Sequence, residues 1–294
     1  MRNLKYKILR FVILATLLIL TTVTPVVATP FFSTGDPNGL IATGSRPSSS
    51  GKIEIESADD FVLVSPMNIT SATFTGLLTG GATTASIGQV RVEIYRVFPK
   101  DSTVPPSGHV PTRVNSPSDV AFDTRDSLAG TLSYAISVLH PSFTTLNSVL
   151  NGIHPIPNQT TLGEGPVTGQ EIQFNVTFTT PFSLPADHYF FIPQVEVLTA
   201  SGEFYWLSAP KPIVPPGIPF PLGSTDLQTW IRNEDLAPDW LRIGTDIVGG
   251  ATPPTFNAAF SLSGEPSEVP EPSTMLLLGS GLLGLWGARK KFKK

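Results

Sequence analysis

An all-β sandwich or jelly roll is the fold class the sequence predicts, on three observations. Short apolar runs recur through the middle of the chain with every second side chain apolar, the period of a strand with one buried face. The 29 prolines and 25 glycines fall largely between those runs, where they form turns. Stretches with a helical period are almost absent, and no fixed internal repeat marks a propeller or solenoid.

Taken in order, the chain opens with Arg2, Lys5, Lys7 and Arg10, then an apolar stretch over 11–20, then Val26-Val27-Ala28. Basic start, apolar middle and small residues at the cut make 1–28 a secretory signal peptide, cleaved between Ala28 and Thr29. The competing reading is an uncleaved N-terminal membrane helix, which Pro25 and the small residues disfavour. Residues 29–50 are rich in Pro, Gly, Ser and Thr and read as a flexible lead-in.

The β domain is expected over 51–265. Residues 52–56 alternate, with Ile53 and Ile55 on one face. Residues 60–64 form a short apolar run, and 69–77 follow with Phe74 as core anchor. The clearest strand is 89–98: Val90, Val92 and Ile94 face one way, Arg91, Glu93 and Tyr95 the other. Residues 172–178, 188–192, 195–197, 203–207 and 256–262 continue the series. The Pro-punctuated stretches 99–117 and 210–221 exclude both regular helix and central strand. Residues 142–153 are read as one short helix capped by Ser142.

Charge is distributed unevenly. Nine of the 19 basic residues lie at the two ends, so the middle carries ten against all 23 acidic residues, a net of about −13. That balance excludes nucleic-acid binding through phosphate neutralisation. The absence of cysteine excludes thiol nucleophiles, Cys-ligated zinc and lipidation at an N-terminal Cys, so the core alone must stabilise the exported fold.

Chemical motifs are sparse. His109, His140, His154 and His188 show no metal-ligand spacing, and there is no nucleophile elbow, Walker loop or dinucleotide fingerprint. Folding could bring two of Glu164, Glu171, Glu196 and Glu203 together as a glycosidase pair. No cofactor is expected, Ca²⁺ being the one ion the acidic groups admit. Those groups are Asp119, Asp123 and Asp126, and Glu234, Asp235, Asp239 and Asp246; the plainer reading is two solvated acidic loops. Trp206, Trp230 and Trp240, with Tyr205, gather late in the chain near Arg232 and Arg242. They are candidates to stack on sugar rings, and otherwise serve to pin long loops onto the sandwich.

The C-terminus has three parts. Val269-Pro270-Glu271-Pro272 is a stiff extended strip, because proline fixes φ and biases its predecessor away from helix. Residues 275–288 are fourteen uncharged, mostly apolar residues, short of the roughly 20 a full span takes. Arg289, Lys290, Lys291, Lys293 and Lys294 then form a basic stop that stays on the cytoplasmic side. An ordinary anchor has no need of the Pro-Glu-Pro strip, and a GPI signal does not end in a basic block.

In this order of parts, residues 266–294 resemble the PEP-CTERM sorting signal of Gram-negative bacteria. The resemblance implies export, transient anchoring in the inner membrane and recognition of the Pro-Glu-Pro strip by an exosortase. It also associates the protein with a cell surface or matrix rich in exopolysaccharide. Ala58-Asp-Asp-Phe61, residues 92–95, 230–247 and 256–264 are loosely similar to the globular parts of other such proteins.

The resulting expectation is a non-enzymatic, exported β-sandwich protein. The Sec machinery and an exosortase are its partners, and the cell surface or extracellular matrix is its destination. Its first rival is a carbohydrate-binding module using Trp206, Trp230 and Trp240. Remoter rivals are a secreted glycoside hydrolase and an ice-binding protein, the latter requiring regularly spaced Thr on one exposed sheet.

Overall fold

A computed structural model describes residues 29–267, apart from 50, 106, 155, 157 and 158. The signal peptide, Ala28, the Val269–Pro272 strip, the apolar run and the basic tail therefore lie outside the described residues. Fifteen strands occur among those described. In chain order they are β1 (Phe32–Ser33), β2 (Ile41–Gly44), β3 (Ile55–Leu63), β4 (Met67–Leu78), β5 (Ile87–Arg96), β6 (Asp123–Asp126), β7 (Leu132–Thr145) and β8 (Asn147–Val149). There follow β9 (Val167–Leu184), β10 (Asp187–Val197), β11 (Phe204–Ala209), β12 (Trp230–Asn233), β13 (Leu241–Arg242), β14 (Asn257–Ala258) and β15 (Phe260–Pro266).

The strands form two sheets. The first has nine strands: β7-β9-β4-β15-β1 side by side, with β11, β2, β8 and β14 continuing from the end of β4. The second has six, in the order β13-β12-β3-β10-β5-β6. All pairings are antiparallel except β2 with β8. The expected β-sandwich is thus observed.

The sheets pack through their alternating apolar faces. Phe74, Phe174, Phe204 and Phe260 from the first meet Phe61, Val92, Ile94 and Phe191 from the second. Phe191 stacks on Phe260 at 5.0 Å across the interface, and Phe74 on Phe174 at 4.7 Å within the first sheet. Each such ring contributes about 1.5–3 kcal/mol by leaving water. The outer face of the second sheet is covered as well: Tyr95, Phe190, Ile192, Trp230 and Trp240 form a smaller cluster.

Three expectations need correction. Residues 29–50 are built into the sandwich and are not a flexible lead-in, since β1 and β2 lie there and Phe32, Ile41 and Ala42 are buried. Thr34 is fully buried, and its hydroxyl donates to the carbonyl of Ala258 at 2.6 Å. Pro and Gly composition concealed strands that form only by pairing with β15 and β11. Residues 142–153 are not a helix: 142–145 end β7, and β8 pairs with β2. Long-range pairing overrides a weak local propensity. Finally, Ile53 is 39 % exposed, because the paired strand begins only at Ile55.

Candidate functional site

The last strand leads straight to the C-terminal segment. Glu265 and Pro266 pair with Asn68 and Met67 on β4, and the amide of Ser267 donates to the carbonyl of Pro66 at 3.0 Å. That bond secures the chain beside the turn between β3 and β4, two residues before Val269. In sequence, Val269-Pro270-Glu271-Pro272 begins two residues after this anchored strand end. Among the described residues no helix is long and apolar enough to cross a membrane.

The three tryptophans occupy other positions than a sugar site requires. Trp206, Trp230 and Trp240 are 1, 1 and 0 % exposed. Trp206 sits in the main core beside Phe260 at 5.7 Å and donates its indole N–H to the Ala259 carbonyl. Trp240 donates to the Ser118 carbonyl at 3.2 Å, meets Tyr95 edge-on, and carries the Arg232 guanidinium over its ring at 4.3 Å. No indole face is open to a ring, so stacking on saccharide by these residues is corrected. Trp206 and Trp240 each satisfy the indole N–H on a backbone carbonyl, as large buried rings with one polar atom do. Trp230 packs in the outer cluster with its indole N–H unpartnered among the described residues.

Two carboxylates do come together, though not from the glutamates singled out for such a pair. Glu56 on β3 and Glu93 on β5 share the outer face of the second sheet with Tyr95 and Arg232. The Tyr95 hydroxyl lies 2.8 Å from a Glu56 oxygen and 3.4 Å from a Glu93 oxygen. Arg232 binds Glu56 through Nε and donates to the Tyr95 hydroxyl at 2.8 Å. Burial, reinforced by the Glu56 charge and a hydrogen bond to it, pushes the Glu93 carboxyl up to about 8. Burial likewise raises Glu54 and Tyr95. The environment beneath the loops thus favours the neutral form of Glu93. The alternation of Arg91, Glu93 and Tyr95 in the sequence placed them on one face; the loops that bury that face were not legible.

The glutamates considered as a glycosidase pair have separate tasks. Glu164 accepts the amides of Leu150 and Gly152 at 2.9 and 3.1 Å, and Glu171 hydrogen-bonds His140. Glu196 accepts the Gln89 amide at 2.9 Å, and Glu203 pairs with Arg46 at 2.6 Å.

The acidic groups are similarly occupied. Arg113 is buried between Asp119 and Asp239, reaching the latter at 3.3 Å. Burial works against the Asp119 charge, but Arg113 and the amides of Thr103 and Val104 hold its carboxyl below the usual range. Asp123 pairs with Arg125, Asp126 with Arg91 and Asp246 with Arg242. Glu234 and Asp235 are exposed. Among the described residues, no three acids or histidines converge as a metal site would require.

The acidic pair in Ala58-Asp-Asp-Phe61 joins elements. Asp59 is fully buried, accepts the Ala258 amide at 2.8 Å, and has its carboxyl pushed well up by burial and by Asp60. Asp60 meets His188 Nε2 at 2.6 Å and accepts the Leu227 amide at 3.1 Å. A cleft of about 350 Å³ lies between the end of the 99–117 stretch and the segment leading into β12, lined by Asn115, Asp226, Gln228, Trp230 and Arg242 among others. Its charges are spoken for: Asp226 pairs with Lys211 at 2.7 Å and Arg242 with Asp246 at 2.6 Å.

Fold and terminus together define a class, an all-β globular unit followed directly by a short C-terminal segment. Residues 268–291 match the family model of the PEP-CTERM protein-sorting motif. The motif supports an exosortase-targeted exported protein and implies transient anchoring in the membrane. None of the curated proteins and none of the solved structures compared with the chain matches it.

Proposed function

We propose that the protein is a non-enzymatic component of the cell surface or extracellular matrix. A signal peptide and the Sec machinery export it, and an exosortase processes it near Pro270-Glu271-Pro272. The observation that carries this reading is the sorting motif starting one residue beyond the last anchored residue of the sandwich. The motif thus follows directly in sequence on a folded domain, which suits handling by a membrane enzyme after folding. The non-enzymatic part is supported by the acids: those examined as catalytic or Ca²⁺-binding groups are largely taken up by guanidinium, imidazole and amide partners.

Intact mass of the protein from the native host's surface or medium tests this. The expected species starts at Thr29 and ends near the Pro-Glu-Pro strip. A protein found only in membranes and still ending at Lys294 would sink the sorting and release reading.

A further inference from the structure

The second sheet is covered on both faces, but the outer face of β7, β9, β4, β15 and β1 is largely open. Its side chains follow from the register. Across one row Asn175 opposes Thr73, Thr73 opposes Ser261, and Ser261 opposes Ser33. Across the next, Ser137 opposes Gln173 and Gln173 opposes Thr75. Strands lie about 4.8 Å apart, so these residues form a grid of hydroxyls and amides. Neither row contains a charged residue. One row further on, Glu171 bonds His140, and Leu77 joins an apolar cluster with Phe143 packed against it, which closes the platform.

A cavity of about 140 Å³ opens on this grid, floored by Thr73, Thr75, Gln173 and Ser261 and bordered by Asp36 and Pro216. A cavity of about that volume holds a six-membered ring. Thr75 is the informative residue. It is 5 % exposed and lines the cavity, and its hydroxyl bonds no described residue. The same is true of the Gln173 amide, whereas Thr73 and Ser261 bond each other at 2.7 Å. Asp36 is exposed and, among the described residues, carries no ion pair. Hydroxyl and amide groups that open onto a cavity without a protein partner are free to exchange hydrogen bonds with a ligand there.

We propose that this face binds an uncharged polysaccharide, with one sugar ring in the cavity and neighbouring rings along the grid. Pro30 and Pro216 provide apolar walls for the C–H face of the ring. Thr75, Gln173 and the Asp36 carboxylate exchange hydrogen bonds with its hydroxyls. None of the cavity residues is basic, so an acidic glycan finds no counter-charge there and meets the negative charge of the domain. An ice lattice requires an unbroken plane, whereas the Pro216 loop and Asp36 wall this one.

The proposal rests on the surface and matrix reading, but the two fail separately. The test is affinity electrophoresis of the full-length chain in detergent, through gels containing a neutral glucan, mannan or galactan, with alginate as the anionic counterpart. The expected result is retardation by a neutral glycan and none by alginate. Thr75→Val and Gln173→Ala should each weaken it about tenfold, as loss of a buried hydrogen bond does. Asn175→Lys, on the exposed part of the neighbouring row, should also weaken it and tests the platform if Thr75→Val lowers Tm. Retardation by alginate alone, by no glycan, or undiminished in the three variants overturns the proposal. A host protein processed near Pro270 that ignores every neutral glycan leaves the surface reading standing without this one; a full-length membrane form that binds glycan does the reverse.

Discussion

Arg113 is the residue on which two buried acids depend. Its side chain and those of Asp119 and Asp239 are each 2 % exposed. Replacing it with Met leaves both carboxylates in a poorly solvated site without their cation. Arg113→Met should therefore cost about 3–5 kcal/mol in urea unfolding, far more than removal of an exposed pair. Glu93 behaves in the opposite sense. Its carboxyl is raised from an ordinary 4.5 to about 8. Between those values the folded protein holds a proton that the unfolded chain has released, so this site's contribution falls as pH rises. Glu93→Gln should flatten the decline of the urea midpoint across that window, giving its largest relative gain near pH 8. An unchanged pH profile would show that Glu93 ionises normally. Neither behaviour was evident from residue type, because Arg113 and Glu93 lie in segments that look half solvated until the loops close over them.

At the scale of elements, the first sheet turns on the end of β4. Gly76 lies two residues before that end, where β11 takes over from β15 as the partner of β4. A Cβ at Gly76 would run into the Phe204 ring and the Tyr205 carbonyl oxygen. Gly76→Ala should thus destabilise by about 1–3 kcal/mol despite its better intrinsic propensity, read as a lower urea midpoint with the β signal retained. The strands with one apolar face were the most legible elements. The pattern over 172–178 marks the centre of β9, and that over 89–98 marks β5. The runs at 188–192 and 195–197 proved to be a single strand, β10. The unpredicted β7 is an edge strand whose pairing among the described residues is with β9, and its register shifts after Val138, where Val138 and Leu139 are both exposed and the alternation is lost. The short β1, β2 and β8 have little pattern to read, since two to four residues hold at most two periods of alternation; they exist because neighbouring strands offer them a free edge.

For the whole molecule, the arrangement is a folded sandwich whose last strand hands over to a sorting segment. If the Pro-Glu-Pro strip is what the processing enzyme recognises, Glu271→Ala should shift the native-host protein from the shortened form to one ending at Lys294 in the membrane fraction. An unchanged distribution would place recognition elsewhere. This part was readable in the linear sequence because its physics is linear: a rigid strip, an apolar run and a charged stop act by their order and need no partner distant in the chain. The sequence by itself likewise determined the fold class, since period-two burial and proline placement are local properties. Only the tertiary structure decided which polar and aromatic residues face solvent. It buried Trp206, Trp230 and Trp240, consumed the acids in pairs with arginine, and left a charge-free grid of hydroxyls and amides open on the first sheet. Those outcomes depend on register and on which face a loop covers, and neither is encoded at any one position.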